Sequence, residues 1–369
     1  MKEEWKYLQF ADCINKVSKQ RQVKSKNYKS VGKFPIVSQE KELISGYWDD
    51  ESFLYKHTKP IIIFGDHTKE IKFIDFDFVV GADGTQILCT KDNIDAKFFY
   101  YALKATPIRD LGYARHFKLL KEKQIPIPPL SEQHRIVEYL DTQFAKIDAL
   151  KTNAELQLQA AKDLFQSALK DLMTPKEGWE EKKLGEMCGK IQNIKWTEMS
   201  GTHKYVDLSS VSREDLTIMN SIEIDYQNAP SRAKQIMKLN DVLFATTRPT
   251  LRRLCLVPED YDNDICSTGF CVLRPISIIH HKFLFYSLQT NDFYNYLEPL
   301  QTGANYPAVT DGVVKSYIFS FPTSLEEQQQ IAAQLDDLSA NIKSLQSNYE
   351  QTLTLCNDLK QSLLKKIFE

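Results

Sequence analysis

One segment of this 369-residue chain occurs twice, and the duplication constrains the fold more than any other feature. Glu132-Gln133-His134-Arg135-Ile136 is answered about 195 residues later by Glu327-Gln328-Gln329-Gln330-Ile331, an offset far beyond solenoid periods. The match continues without a gap: Leu140-Asp141 with Leu335-Asp336, Ile147 with Ile342, Leu150 with Leu345, Leu158 with Leu353, Leu164 with Leu359 and Leu172 with Ile367. Both copies read as long helices. In the second, apolar residues from Ile331 through Leu335, Leu338, Ile342, Leu345, Tyr349, Leu353, Cys356, Leu359 and Leu363 to Ile367 recur at spacings of three and four, which is a coiled-coil seam. Ser324-Leu325-Glu326-Glu327 suits a capping box at its start. The first copy follows Pro126-Ile127-Pro128-Pro129, where Ser131 is the expected cap, and stops before Thr174-Pro175 because proline cannot continue a helix. At 1.5 Å per residue each helix would span roughly 60 Å. A single amphipathic helix would ordinarily be a bundle core helix, but neither copy has a helical neighbour in sequence. Each must bury its seam against the other copy or a partner chain, most simply as an antiparallel pair.

The intervening segments also echo each other. Trp5 and Cys13 find counterparts in Trp179 and Cys188, and Asp83-Gly84 with Lys97-Phe98-Phe99-Tyr100-Tyr101-Ala102-Leu103 parallels Thr268-Gly269 with Lys282-Phe283-Leu284-Phe285-Tyr286-Ser287-Leu288. Apolar runs such as Pro60-Ile61-Ile62-Ile63-Phe64, Phe76-Asp77-Phe78-Val79-Val80, Asp241-Val242-Leu243-Phe244-Ala245 and Gly269-Phe270-Cys271-Val272-Leu273 read as strands. The expected fold class is α+β: two α/β-type modules, residues 1–130 and 175–323, separated by two long antiparallel coiled-coil helices, residues 131–174 and 324–369, in a pseudo-two-fold internal repeat.

Hydrophobic and charged contents of 42% and 26% are those of a globular protein. The start Met1-Lys2-Glu3-Glu4-Trp5 lacks the apolar stretch of a signal peptide, and no run of about 18 apolar residues occurs, so a cytoplasmic location is expected. Seven scattered cysteines without a C-x-x-C pair point to buried thiols rather than disulfides or a zinc ribbon. A net charge of -2 counts mildly against a nucleic-acid binder. Between Lys104 and Lys123, however, Lys104, Arg109, Arg115, Lys118, Lys121 and Lys123 face only Asp110 and Glu122, a candidate phosphate-facing surface.

Catalytic signals are absent: there is no Asn/Asp-Pro-Pro-aromatic methyltransferase signature, no Gly-x-Gly loop for a methyl donor and no Walker A loop. Asp50 with Glu70-Ile71-Lys72 resembles a magnesium-nuclease spacing, but in a Glu- and Lys-rich chain it arises easily by chance. His280-His281 has no thiolate or carboxylate at ligand spacing and reads as surface. No cofactor or metal is expected. Exposed cations carry the stronger signal. Thr246-Thr247-Arg248-Pro249-Thr250-Leu251-Arg252-Arg253 joins two strand-like runs, so it should present three guanidinium groups suited to guanine or phosphate, or else form a solvated basic hairpin. Gly65-Asp66-His67-Thr68-Lys69 occupies the comparable place in the first module, where Asp66 could equally shape a turn. Later loops, Gly112-Tyr113-Ala114-Arg115-His116-Phe117-Lys118 and Gly303-Ala304-Asn305-Tyr306, interleave aromatic with polar side chains, a pattern fit for base edges or for core.

These residues resemble the specificity subunits of type I restriction-modification enzymes. The resemblance covers essentially the whole chain and rests on Ile125-Pro126-Ile127-Pro128-Pro129-Leu130-Ser131-Glu132-Gln133, on Lys176-Glu177-Gly178-Trp179, and on Phe321-Pro322-Thr323-Ser324-Leu325-Glu326-Glu327-Gln328. Ile63-Phe64-Gly65-Asp66-His67-Thr68 and Thr302-Gly303-Ala304-Asn305-Tyr306-Pro307-Ala308-Val309 look like pieces of target recognition domains. The second helix start departs from the first in having Pro322-Thr323-Ser324 in place of two adjacent prolines. The resemblance implies a non-catalytic reader of a two-part sequence in double-stranded DNA, with one module per half and the helices fixing the gap. It further implies docking of modification subunits, two in number, that methylate adenine, and through them of motor-nuclease restriction subunits. The expected DNA-binding residues are Thr247, Arg248, Arg252, Arg253, Asn305 and Tyr306 in one module and His67, Lys69, Arg115, His116 and Lys118 in the other. Two other classes compete: a stand-alone DNA-modifying enzyme, which the missing cofactor loops oppose, and a coiled-coil adaptor that binds proteins.

Overall fold

Strand periodicity explains the centre of each module. The computed structural model describes residues 5–18, 20–112, 114–196 and 201–369. The chain divides into two compact units, Met1–Ala154 with Glu350–Glu369, and Glu155–Tyr349. In the first, strand Ile61–Gly65 pairs antiparallel with Ile71–Ile74 on one side and Thr85–Thr90 on the other. Its uninterrupted apolar run is what a strand buried on both faces requires, because alternate side chains point to opposite sides. Ile62 and Phe64 enter one core with Phe98, Phe99 and Leu120, while Ile61 and Ile63 enter another with Val37, Phe78 and Val80. The second unit repeats the device: Val242–Ala245 lies between Leu254–Leu256 and Phe270–Leu273, with Val242 and Phe244 in one core and Leu243 and Ala245 in the other. A further small sheet completes each module, built on Phe34–Val37 and Phe78–Gly81 in the first and on His203–Val206 and Ile265–Ser267 in the second.

Two 44-residue helices, Leu130–Met173 and Leu325–Phe368, bear out the duplicated rods. Within the first unit the last turns of the second helix run antiparallel along the first turns of the first. Cys356 Sγ lies 3.7 Å from the Ile147 carbonyl, Lys360 Nζ reaches Asp148 at 2.5 Å, and Phe368 packs against Trp5 and Phe98. In the second unit Phe165 and Leu169 share a core with Ile331 and Leu335. Leu164 and Leu359, matched in the repeat, are 58% and 48% exposed and so stand off the seam, which runs through Phe165 and Leu364 instead. The caps also differ. Ser324 Oγ accepts the Glu327 N–H at 3.4 Å, as the capping box requires, whereas the first helix begins at Leu130, one residue before Ser131, with the Pro129 carbonyl taking the Glu132 and Gln133 N–H groups.

What fastens module to rod is a glutamine. Gln133, buried, donates through Nε2 to the carbonyls of Pro128 at 2.9 Å and Asn93 at 3.1 Å, and its Oε1 accepts the Asp95 N–H at 2.8 Å. Gln328 does the same with Pro322 at 2.7 Å, Ile278 at 3.0 Å and the His280 N–H at 2.7 Å. Three backbone groups depend on one side-chain amide, and an unpaired buried polar group carries a desolvation penalty. Gln133→Leu or Gln328→Leu is therefore expected to lower unfolding stability by roughly 2–4 kcal/mol, against less than about 0.5 kcal/mol for exposed Gln329→Leu. Urea unfolding of the full chain measures both, and equal midpoints for the buried and exposed replacements would refute the latch.

Candidate nucleic-acid interface

Two hairpin turns and two later loops carry the expected residues, and the structure brings them together in pairs. In the second module the turn between Val242–Ala245 and Leu254–Leu256 is a single 3-10 turn, Pro249–Leu251, flanked by Arg248 and Arg252. Both arginines hold left-handed backbone, φ 50° and 55°, which non-glycine residues adopt rarely and at a cost. The later loop supplies the compensation: Arg248 N–H donates to the Pro307 carbonyl at 2.6 Å, Val309 N–H to the Thr246 carbonyl at 3.0 Å, and Thr247 bridges Ala308. The Arg248 guanidinium lies 4.7 Å from the centroid of the Tyr306 ring and donates to the Asn305 carbonyl at 3.2 Å. Arg252 sits 4.4 Å above the Tyr294 ring and donates to Asn291 Oδ1 at 2.6 Å. Both cations stay exposed while an aromatic plane fixes each.

Arg253 behaves differently, correcting the expectation of three presented guanidinium groups. Its side chain turns back and donates to the Leu208 carbonyl, half-buried, and burial holds its guanidinium below the usual arginine range with Arg213 adding to the effect.

The first module builds the same junction from other residues. Asp66 N–H donates to the Gly84 carbonyl at 2.8 Å, as Thr246 N–H donates to Gly269 at 2.9 Å, and His116 N–H donates to the Asp66 carbonyl at 2.7 Å, as Val309 does to Thr246. Gly84, at φ 78°, leaves no room for a Cβ against Gln39 and His67. Asp66 is buried and Oδ1 accepts the Phe117 N–H at 2.8 Å, so it shapes the junction. His67 and Lys69 are half-buried. Lys69, at φ 61°, pairs with Asp110 at 2.7 Å; that ammonium, with the Gly112 N–H, holds the carboxyl below the ordinary range. Arg115 and Lys118 are exposed, the latter on the short helix Phe117–Lys121. His116 is corrected: it is 0% exposed, its Nε2 accepts the Leu111 N–H at 3.0 Å and Nδ1 faces the Asp66 carbonyl at 3.1 Å. With Nε2 accepting, the proton belongs on Nδ1, and the ring ties the two loops rather than facing a ligand. Tyr113 lies outside the described residues.

Sequence reasoning missed the supports. Asn291 and Tyr294 lie some forty residues from Arg252 on a separate helix, Asn291–Leu297, and Gln39 receives the His67 N–H and the Thr68 hydroxyl from a loop of the other sheet. Only an Asn and a Tyr three apart on one helical face hinted at the former. Among the described residues no His, Cys, Asp and Glu cluster could hold a metal ion; Lys72, which shares the nuclease-like spacing with Asp50 and Glu70, is buried and donates to the Ser38 and Glu42 carbonyls.

Two copies of one module, each carrying paired cationic loops and each gripping a long helix, define a duplicated recognition scaffold. The chain belongs to the type I restriction modification DNA specificity domain family, which matches residues 2–159 and 176–354. It is 23% identical to the type I restriction enzyme EcoBI specificity subunit of Escherichia coli over 79% of this chain and 73% of that protein. It is 30% identical to the EcoR124I/EcoR124II specificity subunit of Escherichia coli over 45% of this chain and 43% of that one. Among solved structures, a chain from work on complex assembly and conformational transition of the type I R-M system has a TM-score of 0.70, covering 100% of this chain and 98% of that one at 19% identity. The HsdS subunit from Thermoanaerobacter tengcongensis has a TM-score of 0.52 at 19% identity, over 99% and 97%. At such identities the likeness is one of fold.

The two kinds of loop residue separate experimentally. His116→Ala is expected to lower unfolding stability by about 2–3 kcal/mol because the Leu111 N–H loses its acceptor and removal of a fully buried ring leaves a cavity, while neighbouring Arg115→Ala stays within about 0.5 kcal/mol. Calorimetric midpoints that move equally would place the histidine outside the framework.

Proposed function

We propose that the chain is the address-reading component of a type I restriction-modification complex, in which each module reads one half of a two-part sequence in double-stranded DNA. The observation that carries this is the recurrence, in both modules, of one backbone-bonded junction between a hairpin turn and a later loop, each presenting cations. Residues 1–130 and 175–323 act as recognition modules, and 131–174 and 324–369 as spacers. In the second module Arg248 and Arg252, with Thr247, Asn305 and Tyr306, face the duplex; in the first, His67, Lys69, Arg115 and Lys118 do. His116 and Arg253 position these loops from behind. Stacked arginines suit bidentate contact with guanine or phosphate, and lysines give sequence-independent affinity.

Two modification subunits dock on the chain and carry out methyl transfer to adenine, with restriction subunits joining through them. We place the complex in the cytoplasm; in support, no helix among the described residues is long and apolar enough to cross a membrane. Groove readout at two places on one duplex must keep the rotational phase of the DNA, so the spacers set which gap is accepted.

Methylation mapping in cells with and without the chain tests the reading: a two-part motif should appear only when it is present. Arg248→Ala with Arg252→Ala is expected to relax one half of that motif or weaken binding about tenfold or more, and to flatten the salt dependence. An unchanged motif and affinity would remove this turn from the interface. Lengthening both helices by one turn, about 5.4 Å, should move the preferred gap by one or two base pairs.

A further inference from the structure

Each module grips its own helix at a second place. Asp141 accepts the Tyr101 hydroxyl at 2.5 Å on Oδ1 and the Lys97 ammonium at 2.7 Å on Oδ2. Asp336 accepts the Tyr286 hydroxyl at 2.6 Å and the Lys282 ammonium at 2.6 Å on the same two oxygens. Tyr101 and Tyr286 are buried, and burial together with the facing carboxylate pushes each phenol above its ordinary range, so the hydroxyl stays a donor.

The two attachments lie eight residues apart in each copy, Gln133 to Asp141 and Gln328 to Asp336. That is about 12 Å along the axis and roughly a quarter-turn past two full turns around it. A single fastening lets a domain swivel about it; two, displaced both along and around a helix, fix tilt and rotation together. Bare stability does not require this arrangement. Lys97 and Tyr101 are presented four residues apart by the helix Ala96–Ala105, and Lys282 and Tyr286 likewise by His281–Ser287, so one short helix in each module aims two donors at one carboxylate. The donors are also retained unchanged between modules whose hairpin turns carry different residues.

We propose that the Lys97–Tyr101–Asp141 and Lys282–Tyr286–Asp336 clusters are positioning groups that set the orientation of each module on its helix, and thereby the number of base pairs the protein accepts between half-sites. The inference rests on the DNA-reading function proposed above. One base pair advances a half-site by about 3.4 Å and rotates it by about 34°, so a module free to swivel tolerates neighbouring gaps that a fixed one rejects.

The test uses the full chain assembled with its modification subunits and a panel of duplexes in which the mapped half-sites are constant and the gap varies by single base pairs. Tyr101→Phe with Tyr286→Phe, and separately Lys97→Met with Lys282→Met, remove one donor from each cluster and leave the apolar core intact. Expected is a fall of about tenfold in discrimination between the preferred gap and its neighbours, with base preference within each half-site unchanged and gap selectivity kept by Lys97→Arg with Lys282→Arg. A folded variant with the wild-type gap profile overturns the proposal, as does a loss of base preference without a change in gap preference. Failure of the wild-type complex to select any two-part site would instead refute the DNA-reading function itself.

Discussion

A long amphipathic helix exposes an apolar stripe that must be covered, and most helical stability in proteins comes from covering it. Neither rod covers its whole stripe with the module that precedes it. In the first unit the stripe of Ile136, Leu140 and Ile147 is met by Cys356, Leu364 and Phe368 from the far end of the chain, and in the second Phe165 and Leu169 meet Ile331 and Leu335. Each unit therefore contains chain segments separated by more than 160 residues, and neither unit's core is complete without the terminal turns of the other copy's helix. The duplication is what makes this possible: matched rods offer matched seams, and one solution serves twice.

On that frame the hairpin turns can hold unfavourable backbone. Arg248 and Arg252 occupy left-handed conformations flanking a proline turn, and Lys69 does so in the first module. Such residues persist only where surroundings over-determine them. Here the backbone bonds to Pro307 and Thr246, and the Tyr306 and Tyr294 planes, supply that constraint. Part of the rotamer freedom of each guanidinium group is thus surrendered on folding, which would lower the ordering cost of the DNA contact proposed for them.

Periodicity makes the rods legible in the sequence, because a seam that recurs through about twelve helical turns is a long signal, and the duplicated Glu-Gln and Leu-Asp pairs mark their register. The central strands are legible for the same reason, as continuous apolar runs. Which face of a turn residue looks outward is not. Arg253 and His116 resemble their exposed neighbours in type, and their burial follows from contacts with Leu208 and Asp66 at 45 and 50 residues' remove. Ser131 has the residue type of a cap but not the place of one: the helix starts at Leu130, so the cap position falls to Pro129, whose carbonyl accepts the Glu132 and Gln133 N–H groups and whose side chain has no acceptor to offer. The leucines at 164 and 359 continue the seam by spacing yet leave it in space.

The internal repeat separates mechanism from message. At the two places where each module is fastened to its helix, the two copies use the same residues: Gln133 and Gln328 for the amide latch, Asp141 and Asp336 for the carboxylate, Tyr101 and Tyr286, Lys97 and Lys282 for its donors. At the junction of turn and loop the backbone bonds coincide while the side chains do not, with Asp66 opposite Thr246 and His116 opposite Val309. Beyond the junction even the chemistry diverges: a lysine paired with a carboxylate in one turn, arginines laid on aromatic rings in the other. A protein that had to bind two copies of one ligand would gain nothing by that divergence, since identical frames would hold identical turns equally well. Frames that agree to the hydrogen bond while their presented side chains differ fit the proposal that each module reads its own half-site.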